Sequence, residues 1–517
     1  MKVCRRSTAR VRENGPIMRV NASPITTSTA TTPQAKCWTR SCGFWAISVA
    51  LVCVCGLVKA DKPGLIQAVA AQEESAWKSA LKIWEWSEPG YQETRSSNLL
   101  ADQLEAAGFE VQRNVAKIPT AFTATFGTEG PVVGILGEYD ALPGLSQTAV
   151  AERRPAEGRS WGHGCGHHLF GVASMTAAIA LSEQIRQGEI RGTVRFYGCP
   201  AEEGGGAKVF MVRAGLFQDC AAVLHWHPSD KNAAGDRSSL ARNAVKFRFH
   251  GKSAHAAGAP EQGRSALDAV ELTNHAAQLL REHTPDQTRI HHVVTHGGRA
   301  PNVVPDFAEV YYYVRHPESQ VVRDLYRRLV LCAKAGALAT ETKLDIQFDG
   351  GIVEILPNNA LSQLALKNLR EQNDLKYTAD EIQFAARLQQ SLAKPKPLDS
   401  IEEVIDQTGT IGMGSTDVGD VSWVVPTTGF TTVCYVPGTP GHSWQAVASG
   451  GTTIGRKGML LAAKTLAATA WDIYHDEALR KAARAELESR LGKQKYQTLM
   501  LSNQPPPLDY RKPPKPR

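Results

Sequence analysis

Apolar residues recur every three to four positions between residues 64 and 108, and Gly108 follows the last of them. This spacing predicts amphipathic helices that end at the glycine. Shorter apolar runs predict strands. These runs are residues 121–126, 132–136, 193–197 and 221–224. A longer apolar run at 169–181 predicts a helix among them. Alternating strands and helices are typical of an α/β domain.

The pattern changes from about residue 242 onward. Strand-like and helix-like runs there follow the order β-α-β-β-α-β, which is the ferredoxin-like order. The runs are residues 244–249, 265–280, 290–295, 308–314, 320–335 and 343–348. Gly336 is expected to end the second helix. Helical patterns of the first domain resume at residues 359–371 and 460–474, so the sequence predicts a small domain inserted into a larger one.

The chain has 517 residues, which is enough for two full-sized cores. The predicted division is a leader at 1–60, a main domain at 61–241 and 353–480, the inserted domain at 242–352 and a C-terminal tail at 481–517. Residues from Gln504 onward are rich in proline and basic side chains, which predicts disorder at the end of the tail.

Residues 1–60 are typical of a targeting segment. A basic stretch rich in serine and threonine precedes an apolar run at 43–58, and Val58 and Ala60 offer small side chains for cleavage. The run is short for a membrane span, so we expect a signal peptide and an exported protein, periplasmic or secreted. The alternatives are an uncleaved membrane anchor and a translation start at Met18.

The positive charge of the chain lies in this leader. The formal net charge is +7, but residues 1–60 hold nine lysines and arginines against one acid, so the remainder carries −1. We therefore expect no nucleic-acid partner. The cysteines of the body form an odd, widely spaced set, which argues against a disulfide framework. They are Cys165, Cys199, Cys220, Cys332 and Cys434.

Cysteine and histidine alternate with glycine in residues 162–168, directly before the apolar helix. Thiolate and imidazole hold borderline-soft metal ions such as zinc, and glycine permits the turn that brings neighbouring ligands together. Cys165 and His167 are therefore candidate ligands. The alternative is a structural cysteine beside histidines that cap the helix.

Three strands of the main domain lead into further polar residues. In chain order, these are Glu138 and Asp140, Glu202 and Glu203, and His225 and His227. Ligand sites of open α/β sheets lie at the carboxyl edge of the strands, so these side chains are expected to lie close together. For the glutamate pair, a solvated acidic loop is the alternative.

A later stretch, Gly438-Thr439-Pro440-Gly441-His442-Ser443-Trp444, adds a further histidine. Together, the candidate ligands are Cys165, His167, Glu203, His227 and His442, beside a free Glu202. Five ligands exceed the need of one tetrahedral ion that also binds water, and they suit two divalent ions. Such ions activate a water and polarise a carbonyl, while Glu202 could transfer the proton of that water to a leaving amine. Thiolate and imidazole favour zinc, and the carboxylates also admit manganese.

These residues lie in a series of motifs that resembles the metal-dependent amidohydrolase/carboxypeptidase family, which includes aminoacylases, glutamate carboxypeptidases and hippurate hydrolases. In order, the motifs are Glu-Tyr-Asp-Ala-Leu-Pro, His-Gly-Cys-Gly-His, Pro-Ala-Glu-Glu-Gly-Gly-Gly, Trp-His-Pro, Ser-Ala-His-Ala, Gly-Gly-x-x-Pro-Asn-Val-Val-Pro and Gly-His-Ser-Trp-Gln. The resemblance covers residues 65–475. Within the family, residues 414–423 are most similar to members that hydrolyse aminobenzoyl-glutamate.

The resemblance implies a zinc-exopeptidase-like catalytic domain of the α/β class, with a mixed sheet flanked by helices, and an inserted ferredoxin-like α+β lid and dimerisation domain. It implies two divalent ions per subunit, zinc or manganese, held by the five candidate ligands. Glu202 is then the general base, and Asp140 orients a ligand histidine. A homodimer is implied, and a second, different hydrolase subunit is allowed.

In the lid, the resemblance matches His255 to a histidine that reaches the oxyanion from the partner subunit. It matches Asn302 and Arg315 to residues that hold a substrate carboxylate, which suits the guanidinium fork. A surface ion pair is the alternative for Arg315. For Asp140, the alternative is a carboxylate that caps the turn before Pro143.

The sequence departs from the broader subfamily at two positions. His168 and Phe170 stand where many members have aspartate and histidine, which puts the details around the first metal in doubt. His163 and His225 are spare imidazoles, and His225 is an alternative ligand to His227.

The predicted function is metal-dependent hydrolysis of the amide bond of an N-acyl amino acid, foremost an aminobenzoyl-glutamate-like N-acyl-glutamate. A metallo-dipeptidase or a general aminoacylase would use the same site. The alternative of another class is a non-catalytic binding protein for exported peptides or acyl amino acids. The complete set of ligands and the base argue against that alternative.

Overall fold

The computed structural model describes residues 61–512. The leader at 1–60 lies outside the described residues, and so do the predictions of a signal peptide, a membrane anchor and an internal start. Residues 513–517 are also outside them. In the described range, no helix combines the length and apolar character needed to cross a membrane.

The helices and strands follow the alternating order predicted for the main domain. The helices are α1 (Lys62–Ala71), α2 (Glu73–Trp86), α3 (Thr94–Ala106), α4 (His167–Arg186), α5 (Ala207–Arg213), α6 (Ala266–Arg281), α7 (Ser319–Ala339), α8 (Asn359–Gln372), α9 (Ala379–Gln389), α10 (Val418–Ser422), α11 (Trp444–Gly450), α12 (Thr453–His475) and α13 (Glu477–Leu491). The strands are β1 (Glu110–Arg113), β2 (Phe122–Phe126), β3 (Val132–Glu138), β4 (Leu142–Pro143), β5 (Trp161–Gly162), β6 (Thr193–Cys199), β7 (Cys220–Ser229), β8 (Asn232–Ala234), β9 (Ala241–His250), β10 (Arg289–His296), β11 (Phe307–His316), β12 (Lys343–Ile352), β13 (Val404–Asp406) and β14 (Thr427–Val433).

The main sheet has eight strands in the order β1-β2-β6-β3-β7-β14-β8-β13. Its central strands β6, β3, β7 and β14 run parallel, whereas β2 and β8 pair antiparallel with β6 and β14. Central parallel strands are buried on both faces, so they appear in the sequence as continuous apolar runs. The sheet is mixed, as predicted.

Helices cover both faces of this sheet. On one face α4 and α12 pack against each other and against the strands, and Leu169 and Leu466 are fully buried there. On the other face Met211 of α5 and Val421 of α10 pack with Tyr197 of β6. A sheet with helices on both sides confirms the predicted α/β class.

The inserted elements β9-α6-β10-β11-α7-β12 form an antiparallel sheet in the order β10-β11-β9-β12, with α6 and α7 packed against it. This is the predicted ferredoxin-like arrangement. The expectation that Gly336 ends a helix is wrong, since α7 continues to Ala339. A Cβ atom at Gly336 would lie 2.6 Å from the carbonyl oxygen of Ala269 in α6, so the glycine permits close packing of the two helices.

The end of the chain is ordered further than the sequence predicts. Leu499 and Met500 are buried against the body, and the ring of Tyr510 packs edge-on against that of Tyr91, with 5.7 Å between the centroids. The prediction of disorder from Gln504 onward is therefore wrong as far as residue 512. Long-range contacts hold this segment, since Nη1 of Arg213 donates to the carbonyl of Gln504 at 3.0 Å and Leu508 packs against a buried apolar cluster.

Truncation of Met500 tests this packing. Met500 is 6% exposed, whereas its neighbour Leu501 is 54% exposed. We expect Met500→Ala to lower the free energy of unfolding by about 2–5 kcal/mol, because it leaves a cavity in a packed cluster. Leu501→Ala should change it by less than about 0.5 kcal/mol. Urea denaturation measures the free energy of unfolding of both variants. Equal small changes would mean that this segment does not pack against the body.

Candidate active site

The predicted site residues meet at the carboxyl edge of the central strands. Glu138 ends β3, the loop at 200–206 follows β6, and His227 lies near the end of β7. His442 follows β14, and His167 is the first residue of α4. Because β3, β6, β7 and β14 are parallel, their carboxyl ends converge.

Asp140 links two of the candidate ligands. Its Oδ1 accepts a hydrogen bond from Nδ1 of His167 at 2.8 Å, and its Oδ2 accepts one from the backbone N–H of Glu203 at 2.9 Å. A proton held on Nδ1 makes Nε2 of His167 the nitrogen available to a metal ion, and Nε2 lies 3.1 Å from Oε2 of Glu138, which belongs to one of the candidate ligand groups. The contact between Asp140 and His167 is the one that the predicted role of Asp140 requires.

Cys165 and His227 also lie side by side. The Sγ atom of Cys165 is 3.2 Å from Nε2 of His227, while Nδ1 of His227 donates to the carbonyl of Pro228 at 2.7 Å. That hydrogen bond again directs the free nitrogen towards the thiol. Gly166 makes the turn after Cys165, with φ of +76°, and a Cβ atom there would lie 2.5 Å from the Tyr435 hydroxyl.

Glu203 and His442 form the third close pair. Nε2 of His442 lies 3.1 Å from Oε1 of Glu203. Burial alone would raise the pKa of Glu203, but His442 and His167 lower it to about 2. The backbone of His442 has φ of +57°, a strained conformation for a residue with a Cβ atom, and its N–H donates to the carbonyl of Gly164 at 2.9 Å.

These side chains fall into groups that could hold metal ions. The groups are Cys165 with His167 and His227, Cys165 with Glu203 and His442, and Glu138 with His167 and Glu202, and the donor atoms within each lie within 4.8 Å of one another. Nε2 of His167 lies 3.1 Å from Oε2 of Glu138, and Nε2 of His442 lies 3.1 Å from Oε1 of Glu203. Thiolate, imidazole and carboxylate groups buried this close together are the donor set that divalent ions take, so an ion at this position fits the residues present.

Glu202 lies in the same pocket as these ligand groups. Burial, together with the carboxylates of Glu138 and Glu203, raises the pKa of Glu202 well above its usual value. Both glutamates line the pocket, and the side chain of Glu203 is only 10% exposed, so the pair is not a solvated acidic loop. A carboxylate whose proton affinity is raised in a pocket is suited to accept and return a proton.

The loop that carries the two glutamates is held by Glu93, a residue outside every motif of the sequence. Glu93 is fully buried, and its Oε1 accepts a hydrogen bond from the backbone N–H of Ala201 at 2.8 Å. Ala201 has φ of +54°, so this bond fixes a strained residue directly before Glu202. Burial and the charge of Asp140 raise the pKa of Glu93 to about 8.

A buried lysine beside the site was not predicted either. Nζ of Lys208 lies 2.7 Å from Oε1 of Glu138 and 2.6 Å from Oδ1 of Asp417, and none of the three side chains is more than 1% exposed. The other oxygen of Glu138 is 3.1 Å from Nε2 of His167. A lone lysine within the apolar run 207–212 is the signal that could have revealed this cluster.

The spare histidines do not belong to the ligand groups. Nε2 of His163 lies 3.0 Å from the carbonyl oxygen of Ile83, and Nε2 of His168 lies 3.0 Å from that of Gly450. His225 lines the pocket, but its ring packs against Gly429, where a Cβ atom would lie 2.2 Å away. Of the two histidines on β7, the geometry therefore favours His227 as the ligand.

The substrate-binding residues predicted in the lid are separated. Arg315 lines a pocket of about 660 Å³ together with Cys165, Glu202 and His442. His255 is exposed on the lid. The loop that carries it contacts the segment of Asn302, since the N–H of Ala256 donates a hydrogen bond to the carbonyl of Asn302 at 3.0 Å. Neither His255 nor Asn302 lines the pocket of its own chain.

The C-terminal segment closes one side of this pocket. Nη2 of Arg511 donates to the carbonyl of Glu203 at 2.6 Å, and the hydroxyl of Tyr510 lies 3.3 Å from the same oxygen. Arg511 also lines the pocket. Nothing in the sequence motifs pointed to this contribution.

Comparisons with known proteins agree with this geometry. Residues 241–341 match the peptidase dimerisation domain family. The chain is 40% identical over 457 residues to a subunit of the p-aminobenzoyl-glutamate hydrolase of Escherichia coli (strain K12), covering 83% of this chain and 95% of that protein. It is 31% identical over 425 residues to Xaa-Arg dipeptidase of Mus musculus, covering 79% and 88%.

Solved structures share the fold at lower identity. An aminobenzoyl-glutamate utilization protein from Klebsiella pneumoniae superposes with a TM-score of 0.55 at 18% identity, covering 79% of this chain and 98% of that one. The YXEP protein of Bacillus subtilis, a dinuclear metal-binding peptidase from the M20 family, superposes with a TM-score of 0.53 at 17% identity, covering 78% and 99%.

Replacement of Lys208 tests the buried cluster. We expect Lys208→Met to lower the free energy of unfolding of the chelator-treated protein by about 3–5 kcal/mol, because it leaves Glu138 and Asp417 buried without a cation. Lys246→Met is the control, since Lys246 forms a more exposed pair with Asp349 and should cost less than about 1 kcal/mol. Urea denaturation compares the two, and similar shifts would contradict the role of Lys208.

Proposed function

The chain belongs to the M20 family of metal-dependent amidohydrolases and peptidases, and we propose that it hydrolyses the amide bond of an N-acyl-glutamate related to p-aminobenzoyl-glutamate. The observation that carries this proposal is a pocket in which the candidate ligand groups and a free carboxylate, Glu202, face the arginines of the lid. Metal-dependent amide hydrolysis uses ligands that hold the ions and a carboxylate that transfers the proton of the attacking water. Arginines are suited to bind the carboxylates of an acidic amino acid product.

In the proposed site, Cys165, His167, Glu203, His227 and His442 hold two divalent ions, zinc or manganese. Cys165 belongs to two of the ligand groups, which supports a pair of ions close together. When bound, the ions lower the pKa of water and polarise the amide carbonyl. Asp140 fixes the nitrogen that His167 presents, and the Pro228 carbonyl does the same for His227.

Glu202 is proposed as the general base and acid. It takes the proton of the attacking water and returns it to the nitrogen of the leaving amino acid, so the C–N bond breaks with a neutral amine as the product. Its position supports this role, because Glu202 lines the same pocket as Cys165, Glu203 and His442.

The active form is proposed to be a homodimer in which His255 and Asn302 serve the pocket of the partner. Both residues lie outside the pocket of their own chain. The lid has a free edge strand, β10, on which Val293 is 55% and Val294 is 42% exposed. Exposed apolar residues on an edge strand suit pairing with a second copy.

The second candidate is a dipeptidase, which the similarity to Xaa-Arg dipeptidase supports. A product with a cationic side chain would place its charge in a pocket lined by Arg237, Arg242, Arg315 and Arg511. Like charges repel, so the pocket favours an anionic product over a cationic one.

Hydrolysis of a panel of N-acyl amino acids and dipeptides, including p-aminobenzoyl-glutamate, tests the proposal on residues 61–517. We expect release of amino acid that requires added zinc or manganese. Glu202→Gln should lower kcat at least about 100-fold, because it removes the proton carrier. Metal content should be retained in this variant and lost in Glu203→Gln. No turnover of any compound by metal-loaded protein would contradict the proposal.

Mixing inactive variants tests the shared site. Glu202→Gln and His255→Ala should each abolish most activity alone. A dimer of one chain of each contains one pocket with both residues intact, so mixed samples should recover up to about a quarter of the wild-type rate per chain. If His255 acted within its own chain, each mixed dimer would hold no intact pocket, and no recovery would follow.

A further inference from the structure

Two arginines in the pocket face one tyrosine ring and have no anionic partner. The guanidinium carbon of Arg242 lies 4.8 Å from the ring centroid of Tyr313, and that of Arg315 lies 5.4 Å from it. In the described part of the chain, no carboxylate forms an ion pair with either arginine. The Nε atoms of both are buried without a hydrogen-bond partner.

Arg242 is the more unusual of the two. It is only 7% exposed, at the start of β9 where the strand leaves the main domain. Other basic residues on β9 are paired, since Lys246 contacts Asp349 and Arg248 contacts Glu309. Neither Arg242 nor Arg315 therefore forms a surface ion pair within residues 61–512. This excludes, for that range, the ion pair that the sequence left open as the alternative role of Arg315.

Bringing these cations together costs free energy. Arg242 and Arg315 are directly opposite each other on β9 and β11, where like charges repel, and burial together with the charge of Arg242 lowers the pKa of Arg315. A buried guanidinium retains five N–H donors, and a carboxylate satisfies two of them in a bidentate pair. An unpaired, buried set of donors directed into a pocket is the arrangement expected of an anion-binding site.

We propose that Arg242 and Arg315 together bind the two carboxylates of an acidic amino acid, and that Arg242 recognises the side-chain carboxylate. This inference rests on the proposed function and identifies the residue that selects the leaving group. The two arginines occupy opposite positions on β9 and β11, and both guanidinium groups contact the ring of Tyr313. Two adjacent cations match two carboxylates on one short carbon chain better than they match one carboxylate.

The consequence is discrimination between glutamate and glutamine. The glutamine amide has the shape of glutamate but no negative charge, so it would leave the guanidinium of Arg242 without its counter-charge. The wild-type protein should therefore hydrolyse p-aminobenzoyl-glutamate with a kcat/KM at least about 100-fold above that for p-aminobenzoyl-glutamine.

Arg242→Gln tests this directly. We expect kcat/KM for the glutamate compound to fall at least about 100-fold, mainly through KM, while the glutamine compound is hydrolysed as well as by the wild type. Arg242→Lys keeps the positive charge but loses the planar pair of N–H donors, so its kcat/KM for the glutamate compound should lie between those of the wild type and Arg242→Gln. Arg248→Gln is the matched control, as it removes a paired arginine from the same strand outside the pocket. Equal losses for both compounds would show a merely structural role and overturn the proposal.

A binding measurement separates this proposal from the proposed function. Glutarate has both carboxylates and no amide, and butyrate has one carboxylate. By calorimetry, the wild type and Arg248→Gln should bind glutarate at least about tenfold more tightly than butyrate, and Arg242→Gln should lose the difference. No hydrolysis with this preference intact would refute only the proposed function. Equal affinity of the wild type for both acids would refute the role of Arg242.

Discussion

The site depends on one buried ammonium group. Lys208 lies between the carboxylates of Glu138 and Asp417, and all three side chains are removed from water. Charges are stable in such a place only when they are paired, so the three groups must stay together. They come from the end of β3, the start of α5 and the segment before α10, and the backbone N–H of Lys208 also donates to Asp417 at 3.0 Å. This contact therefore fixes three segments of the carboxyl edge relative to one another.

Contacts along this edge orient the candidate ligand residues. Asp140, two residues beyond β3, sets the tautomer of His167 and holds the backbone of Glu203. Glu93 fixes Ala201, and the Gly164 carbonyl fixes His442, both of which have positive φ. Such conformations cost about 1–3 kcal/mol each and persist only where neighbouring contacts impose them. The geometry of the ligands is thus maintained by backbone hydrogen bonds as much as by side chains.

The structure could be predicted from the sequence wherever residues close together along the chain determine it. Cys165 and His167 lie in one turn, and the apolar runs of β3 and β6 are unambiguous. β14 was missed because four of its seven residues are threonine, so it lacks the continuous apolar run by which the other central strands were predicted. It nevertheless lies near the centre of the sheet. The pairing of Lys208 with Asp417 joins residues 209 positions apart, and no local pattern encodes it. Arg242 is buried and lines the pocket, whereas Arg248 on the same strand pairs with Glu309 outside it, and a sequence alone does not reveal this difference.

Charged residues of both signs line the pocket, and they would orient a substrate in it. Glu138, Glu202 and Glu203 share a single cavity of about 660 Å³ with the lid residues Arg242 and Arg315, and Arg511 contacts the carbonyl of Glu203. An amide whose amine side carries carboxylates is attracted with those groups towards the arginines, which brings its carbonyl towards the candidate ligand groups. In the proposed reaction, this orientation leaves the amide nitrogen on the side of Glu202, the residue proposed to return a proton to it.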